Sequence, residues 1–137
     1  MRPASLILSL ALLAGCAPKS TAIVAGTPAA AGVTFPVFFT SFSANLDAPA
    51  QAVIAQAADS ARQHPGVPVI VSGFAAPQGS VRFNLDLSRA RAQNVTDGLA
   101  SAGVAAARIT QHARGEIDYT ADPIEARRVD ISVGGGK

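Results

Sequence analysis

The sequence predicts an α+β domain over residues 33–133, in the order β-α-β-α-β-β: a two-layer sandwich with a mixed four-stranded sheet and two helices on one face. Three observations predict it. Two long segments, one after Asp47 and one after Ser80, carry apolar residues at helical spacing behind a side chain suited to capping. Four short runs rich in Val, Ile or Phe flank them, and strands joined through helices favour right-handed crossovers between parallel neighbours. Once an N-terminal apolar stretch and a linker are set aside, the 137 residues leave room for one small core.

The first strand is predicted from Val33 to Phe42, a stretch of Phe, Val and Thr that ends at the polar Ser43-Ala44-Asn45. Asp47 stands at the N-cap of the first helix, with Pro49 tolerated in its first turn. Val53, Ile54, Ala57, Ala58 and Ala61 form its apolar stripe, and His64-Pro65-Gly66 stops it. Val67 to Gly73 is a β-branched run suited to a buried central strand, and Phe74 to Gly79 reads as a loop. Ser80 caps a second helix running to about Ser101, with Leu85, Ala92, Val95 and Leu99 as its core face and Gly103 as its stop. Arg108 to Arg114 and Arg127 to Val133 are the last two strands, and Gly115 to Glu125 is a loop between them. In the fourth strand Val129, Ile131 and Val133 share one face.

Ahead of the domain, Met1-Arg2 is a short positive region and Leu6 to Leu13 an apolar run, far short of the roughly 20 residues a membrane-spanning helix needs. Leu13-Ala14-Gly15-Cys16 resembles the lipobox of bacterial lipoproteins. That resemblance implies a signal peptide over residues 1–15 and acyl chains on Cys16, two or more of which hold a protein on a membrane. The absence of Asp at Ala17 implies the outer membrane, with the domain in the periplasm. Residues 16–32, rich in Ala, Thr, Ser, Pro and Gly, read as a lipidated N-terminus and flexible tether, and 134–137 as a frayed tail.

Hydrophobic residues make up 49% of the chain and Trp is absent, so Val, Ile, Leu, Phe and Ala must build the core. The net charge of +2 comes from 11 basic and 9 acidic residues with no basic stripe, which argues against nucleic acid as a partner. His64 and His112 stand without carboxylates or cysteines at metal-ligand spacing, and both are expected at the surface. No Gly-x-Ser-x-Gly elbow occurs, and Gly73 with Gly79-Ser80 departs from a phosphate loop by one residue and by the missing Lys. No catalytic residue, metal or cofactor is expected.

In the second helix Asn84, Ser88 and Arg91 are spaced i, i+4 and i+7, so they share one face, expected to lie opposite the core stripe. Together with Gly73-Phe74-Ala75-Ala76-Pro77-Gln78-Gly79-Ser80, the run Asn84-Leu85-Asp86-Leu87-Ser88-Arg89-Ala90-Arg91-Ala92 and the late Arg127-Arg128-Val129, this pattern resembles the OmpA-like, peptidoglycan-associated domain from about Phe35 to Val133. The resemblance implies non-covalent capture of the diaminopimelate residue of a peptidoglycan stem peptide. In the family a loop Asp meets the ligand's ammonium, while an Arg and an Asn meet its carboxylate; carried over, these two are Arg91 and Asn84.

The family's loop Asp falls at Ala76, which accepts no hydrogen bond; a lost charged hydrogen bond of about 1.5–3 kcal/mol weakens binding roughly ten- to a hundredfold. Arg127 and Arg128 alternate along a strand, so at most one faces the cleft. Arg128 is carried with Asn84 and Arg91 as a peptidoglycan-binding candidate, the other reading of the pair being ion pairing with Glu125, Asp130 or Glu116. The function implied is a non-enzymatic lipoprotein that links outer membrane to cell wall, with membrane lipid, stem peptide and envelope proteins as partners. The alternative is a degenerate domain that no longer binds wall and acts as a subunit of an envelope complex.

Overall fold

The computed structural model describes residues 32–135, so the expected leader, Cys16 and most of the expected tether lie outside the described residues. The elements are β1 (Val33–Phe38), α1 (Ala48–Gln63), β2 (Val69–Ala75), α2 (Val81–Ser101), β3 (Ile109–Glu116) and β4 (Arg128–Val133). Short 3-10 turns at Ala106–Arg108 and Pro123–Ala126 lead into β3 and β4. Both helix starts are held by the side chains that mark them in the sequence. Asp47 accepts from the Ala50 amide at 2.8 Å, and Ser80 accepts from the Phe83 amide at 3.2 Å.

The sheet order is β1-β4-β2-β3. β4 lies antiparallel to both β1 and β2, and β2 pairs in parallel with β3. The last strand of the chain therefore fills the gap left between the first two, and the α+β sandwich with a mixed sheet is the fold observed. Both helices cover the face that carries Val37, Val69, Val71, Val129, Ile131 and Val133. Against it α1 sets Ala57, Ala58 and Ala61, and α2 sets Ala92, Val95 and Leu99. Each fully buried Val, Leu or Ile contributes roughly 1.5–3 kcal/mol, and the alanines let α1 lie close to the sheet.

α2 comes closest to the sheet at Gly73. A Cβ there would lie 2.2 Å from the Ser88 carbonyl oxygen and 3.0 Å from the Ala92 Cβ, so only glycine admits this backbone contact. The role of Gly73 is thus to let helix meet strand. Among the described residues no helix is long and apolar enough to cross a membrane.

Several strand boundaries differ from expectation. β1 ends at Phe38, because the chain turns through Thr40–Ser43 with Phe42 at a positive φ of 55°. β2 runs from Val69 to Ala75 and takes in Phe74 and Ala75, expected in a loop, since β3 continues alongside to Glu116 past an irregularity at Gly73/Phe74. Pro68 stays outside the strand, as its missing N–H requires. His64 is exposed, whereas His112, paired with Ser72, is half-buried.

Candidate functional site

The expectation that Asn84, Ser88 and Arg91 point away from the core is corrected by the structure. All three are buried, at 1%, 0% and 0% exposure, and lie on the same stripe as Ala92, Val95 and Leu99. Steps of seven, four and four residues from Asn84 through Arg91 and Val95 to Leu99 keep to one side of a helix with about 3.6 residues per turn. Leu85, expected in the core face, is only half-buried. The stripe is continuous: its C-terminal half is core, and its N-terminal half is polar because it faces a cleft at the end of the sheet.

Each polar member is held by a segment distant in sequence. Ser88 Oγ donates to the Leu85 carbonyl at 2.8 Å and accepts from the Gly115 amide at 3.0 Å, fastening α2 to β3. Asn84 Nδ2 donates to Glu116 Oε2 at 2.9 Å. Arg91 spans three carbonyls: Nε donates to Ser43 O at 2.8 Å, Nη1 to Phe74 O at 3.0 Å and Nη2 to Thr40 O at 3.1 Å. Its guanidinium also lies over the Phe39 ring, 5.2 Å from the centroid. One side chain thereby ties the β1–α1 turn to the end of β2, and a guanidinium has five N–H donors with which to do so. Burial, and then the neighbouring Arg127 charge, lower Arg91 from the ordinary guanidinium range to about 10, so it stays charged at neutral pH.

Above this floor lies a shallow cleft whose cavity volume is about 10 Å³, room for about one water molecule. α2 lines it with Asn84, Leu87 and Arg91, the loop after β2 with Ala76 and Gln78, and the remaining walls are Phe42 and Arg127. Arg127 is half-buried and donates through Nε to Phe39 O at 3.3 Å; among the described residues it has no acidic partner. Phe42 is 61% exposed and its ring faces that of Phe83 at 6.1 Å.

The structure thus brings Asn84 and Arg91 to one cleft and sets Arg128 apart. Arg128 lies on the sheet face away from the helices, over the Phe74 ring at 5.0 Å, with Nε on Asp130 at 2.9 Å and Nη1 on the Glu125 carbonyl. It is Arg127 that lines the cleft. Arg127 ends the 3-10 turn just ahead of β4, two residues before the buried Val129. Phe42 and Gln78 carried no comparable signal. Among the described residues no three His, Cys, Asp or Glu side chains converge to hold a metal ion.

Against known proteins, the OmpA family matches residues 38–130. The chain belongs to the OmpA family. It is 30% identical over 118 residues to the peptidoglycan-associated lipoprotein of Mesorhizobium japonicum, an alignment covering 75% of this chain and 70% of that protein. The crystal structure of the peptidoglycan-associated lipoprotein from Burkholderia pseudomallei superposes with a TM-score of 0.65 at 25% identity, over 72% of this chain and 88% of that one. The cell wall anchor of the T6SS from Pseudomonas aeruginosa superposes with a TM-score of 0.60 at 30% identity, over 77% and 81% of the two chains. Within this OmpA-family fold the cleft sits where the ends of the sheet strands meet the start of α2.

Proposed function

We propose that this OmpA-family domain binds peptidoglycan non-covalently, taking a stem-peptide carboxylate into the cleft. The observation that carries the reading is the convergence of two guanidinium groups, Arg91 beneath and Arg127 at the wall, beside Asn84 in one recess. A carboxylate is the group such a recess favours, since charge-assisted hydrogen bonds from Arg are among the stronger ones available. Arg91, already engaged with three carbonyls, supplies fixed positive charge; Arg127 offers the accessible fork. The similarity to a peptidoglycan-associated lipoprotein and to a cell wall anchor supports the same reading.

The domain catalyses no reaction in this reading. Lipid on Cys16 ties it to the outer membrane, residues 16–32 give it reach, and the periplasmic domain holds the wall. Co-sedimentation of the purified chain with isolated peptidoglycan tests the wall end. The wild type should sediment, and Arg127→Gln should reduce the bound fraction at least fivefold while leaving the fold intact. A wild type that stays in the supernatant would refute the proposal. Membrane fractionation of cells expressing Cys16→Ser tests the other end; an unchanged outer-membrane fraction would exclude the lipid anchor.

Ala76 favours a second reading, a domain that no longer holds wall and serves as an interaction subunit in an envelope complex. It lines the cleft at 6% exposure and offers no charge. The same sedimentation experiment separates the two.

A further inference from the structure

The charges around the cleft are lopsided. Arg91 and Arg127 contribute two positive groups to its lining, while Ala76, Gln78, Asn84, Leu87 and Phe42 contribute none of the opposite sign. Glu116, an exposed residue outside the lining, is held by Asn84, accepting from its amide nitrogen at 2.9 Å. Asp86 is turned outward between Arg82 and Arg89, at 3.1 and 2.8 Å. An ammonium group entering with the ligand would therefore meet two like charges and no acid among the lining residues.

The opposite wall is apolar. Phe42 holds a left-handed backbone, φ 55°, which costs a bulky residue roughly 1–2 kcal/mol, and its ring is 61% exposed rather than buried for the benefit of the core. Its partner Phe83 is 45% exposed, so the pair presents an aromatic surface at the rim. Leu87, half-buried one helical turn on from Phe83, extends that surface into the cleft. A strained, exposed aromatic beside a cationic recess suits a ligand whose carboxylate is carried on an aliphatic stem.

Resting on the wall-binding reading above, we infer that the cleft selects a carboxylate on an uncharged aliphatic stem and does not recognise an ammonium group beside that carboxylate. Phe42 and Leu87 hold the stem, and Arg127 over Arg91 holds the carboxylate. The site thereby differs from one built to read both charges of a diamino acid: it accepts wall, or a wall-derived peptide, through the carboxylate alone.

The test is calorimetric titration of the full chain in detergent with three Nα-acetylated amino-acid amides: diaminopimelate, with distal ammonium and carboxylate; 2-aminopimelate, with the carboxylate only; and lysine, with the ammonium only. The 2-aminopimelate ligand should bind at least as tightly as the diaminopimelate ligand, and the lysine ligand at least tenfold more weakly than either. Ala76→Asp should turn the preference toward diaminopimelate by at least tenfold. Phe42→Asn, with a side chain that tolerates the left-handed backbone, should weaken both carboxylate ligands about three- to tenfold with the thermal midpoint retained.

A wild type that binds diaminopimelate more than threefold tighter than 2-aminopimelate overturns the inference, as does equal binding of lysine. Sedimentation with peptidoglycan in the same preparation keeps the two levels apart. If the chain sediments but shows the ammonium preference, or binds none of the small ligands, only the inference falls. If it neither sediments nor binds them, the wall-binding reading falls and takes the inference with it.

Discussion

Replacing Arg91 by Lys keeps the charge and removes the fork, which separates the two things a guanidinium does at this position. In the structure its three nitrogens reach Ser43 O, Phe74 O and Thr40 O at 2.8, 3.0 and 3.1 Å. An ammonium is one atom on a flexible stem, and it cannot stand where three separate nitrogens stood. Two of the three carbonyls are then left without their donor, and a buried polar group deprived of its partner costs about 1–3 kcal/mol. The expected loss is about 2–4 kcal/mol, since the turn through Thr40–Ser43 recovers part of it by opening to water. For a domain of about a hundred residues that corresponds to a thermal midpoint lower by roughly 10–25 °C. Urea unfolding followed by circular dichroism measures it, and the slope of the transition should stay near that of the wild type. A loss below about 1 kcal/mol would refute the view that Arg91 is the strut on which the cleft is built.

Other substitutions probe separate steps of the argument. Gly73→Ala places a methyl 2.2 Å from the Ser88 carbonyl oxygen, a backbone atom that yields only if α2 moves, so a loss of about 3 kcal/mol in chemical unfolding is expected. Asp47→Ala removes the 2.8 Å cap of α1 and should cost about 1 kcal/mol by the same assay. Phe42→Asn should hold stability within about 1 kcal/mol, because relief of the left-handed strain offsets the lost ring pair. Arg91 binds its proton less firmly in the folded chain, at about 10, than an ordinary guanidinium does, so the penalty of burying its charge is constant below pH 10 and relieved only above it. A bound carboxylate favours the charged form, so affinity for 2-aminopimelate should be flat from about pH 6 to 9 and fall above about pH 10, as read by titration.

Local signals were legible in the sequence. Asp47 and Ser80 announce two helices because a cap is made within three residues of itself, and both caps are present. The alternation of Val129, Ile131 and Val133 marks β4 and its buried face for the same reason. What could not be read is set by partners far along the chain. Asn84, Ser88 and Arg91 look like a solvated face because they are polar, yet each is buried against groups 17 to 51 residues away. Arg108 shows the same effect: its guanidinium takes the Ala61 and His64 carbonyls at 2.9 and 2.8 Å, closing the end of α1 from 44 or more residues downstream. The insertion of β4 between β1 and β2 is likewise a non-local choice, and alternation decides only which face of a strand is covered. Parity within β4 sets Arg128 on the face opposite Val129, whereas Arg127 lies ahead of the strand at the end of a 3-10 turn, where alternation no longer governs it.

The use of one helix stripe for both core and cleft has a consequence for binding. A cationic recess made of mobile surface side chains has to be ordered when the ligand arrives, at about 0.5–1.5 kcal/mol for each long side chain. Here the deeper cation is ordered beforehand: Arg91 is fixed by three carbonyls and a ring, and the helix that carries it is fixed to the sheet through Gly73 and Ser88. The unfavourable part of that arrangement, a buried guanidinium beside a second one, is borne by the fold and appears as the lowered proton affinity of Arg91. An incoming carboxylate relieves it. Binding and stability are then coupled with a definite sign: ligand should raise the unfolding midpoint of the wild type more than that of Arg127→Gln, since with Arg127 neutral there is less repulsion left to relieve and one fork fewer to hold the ligand.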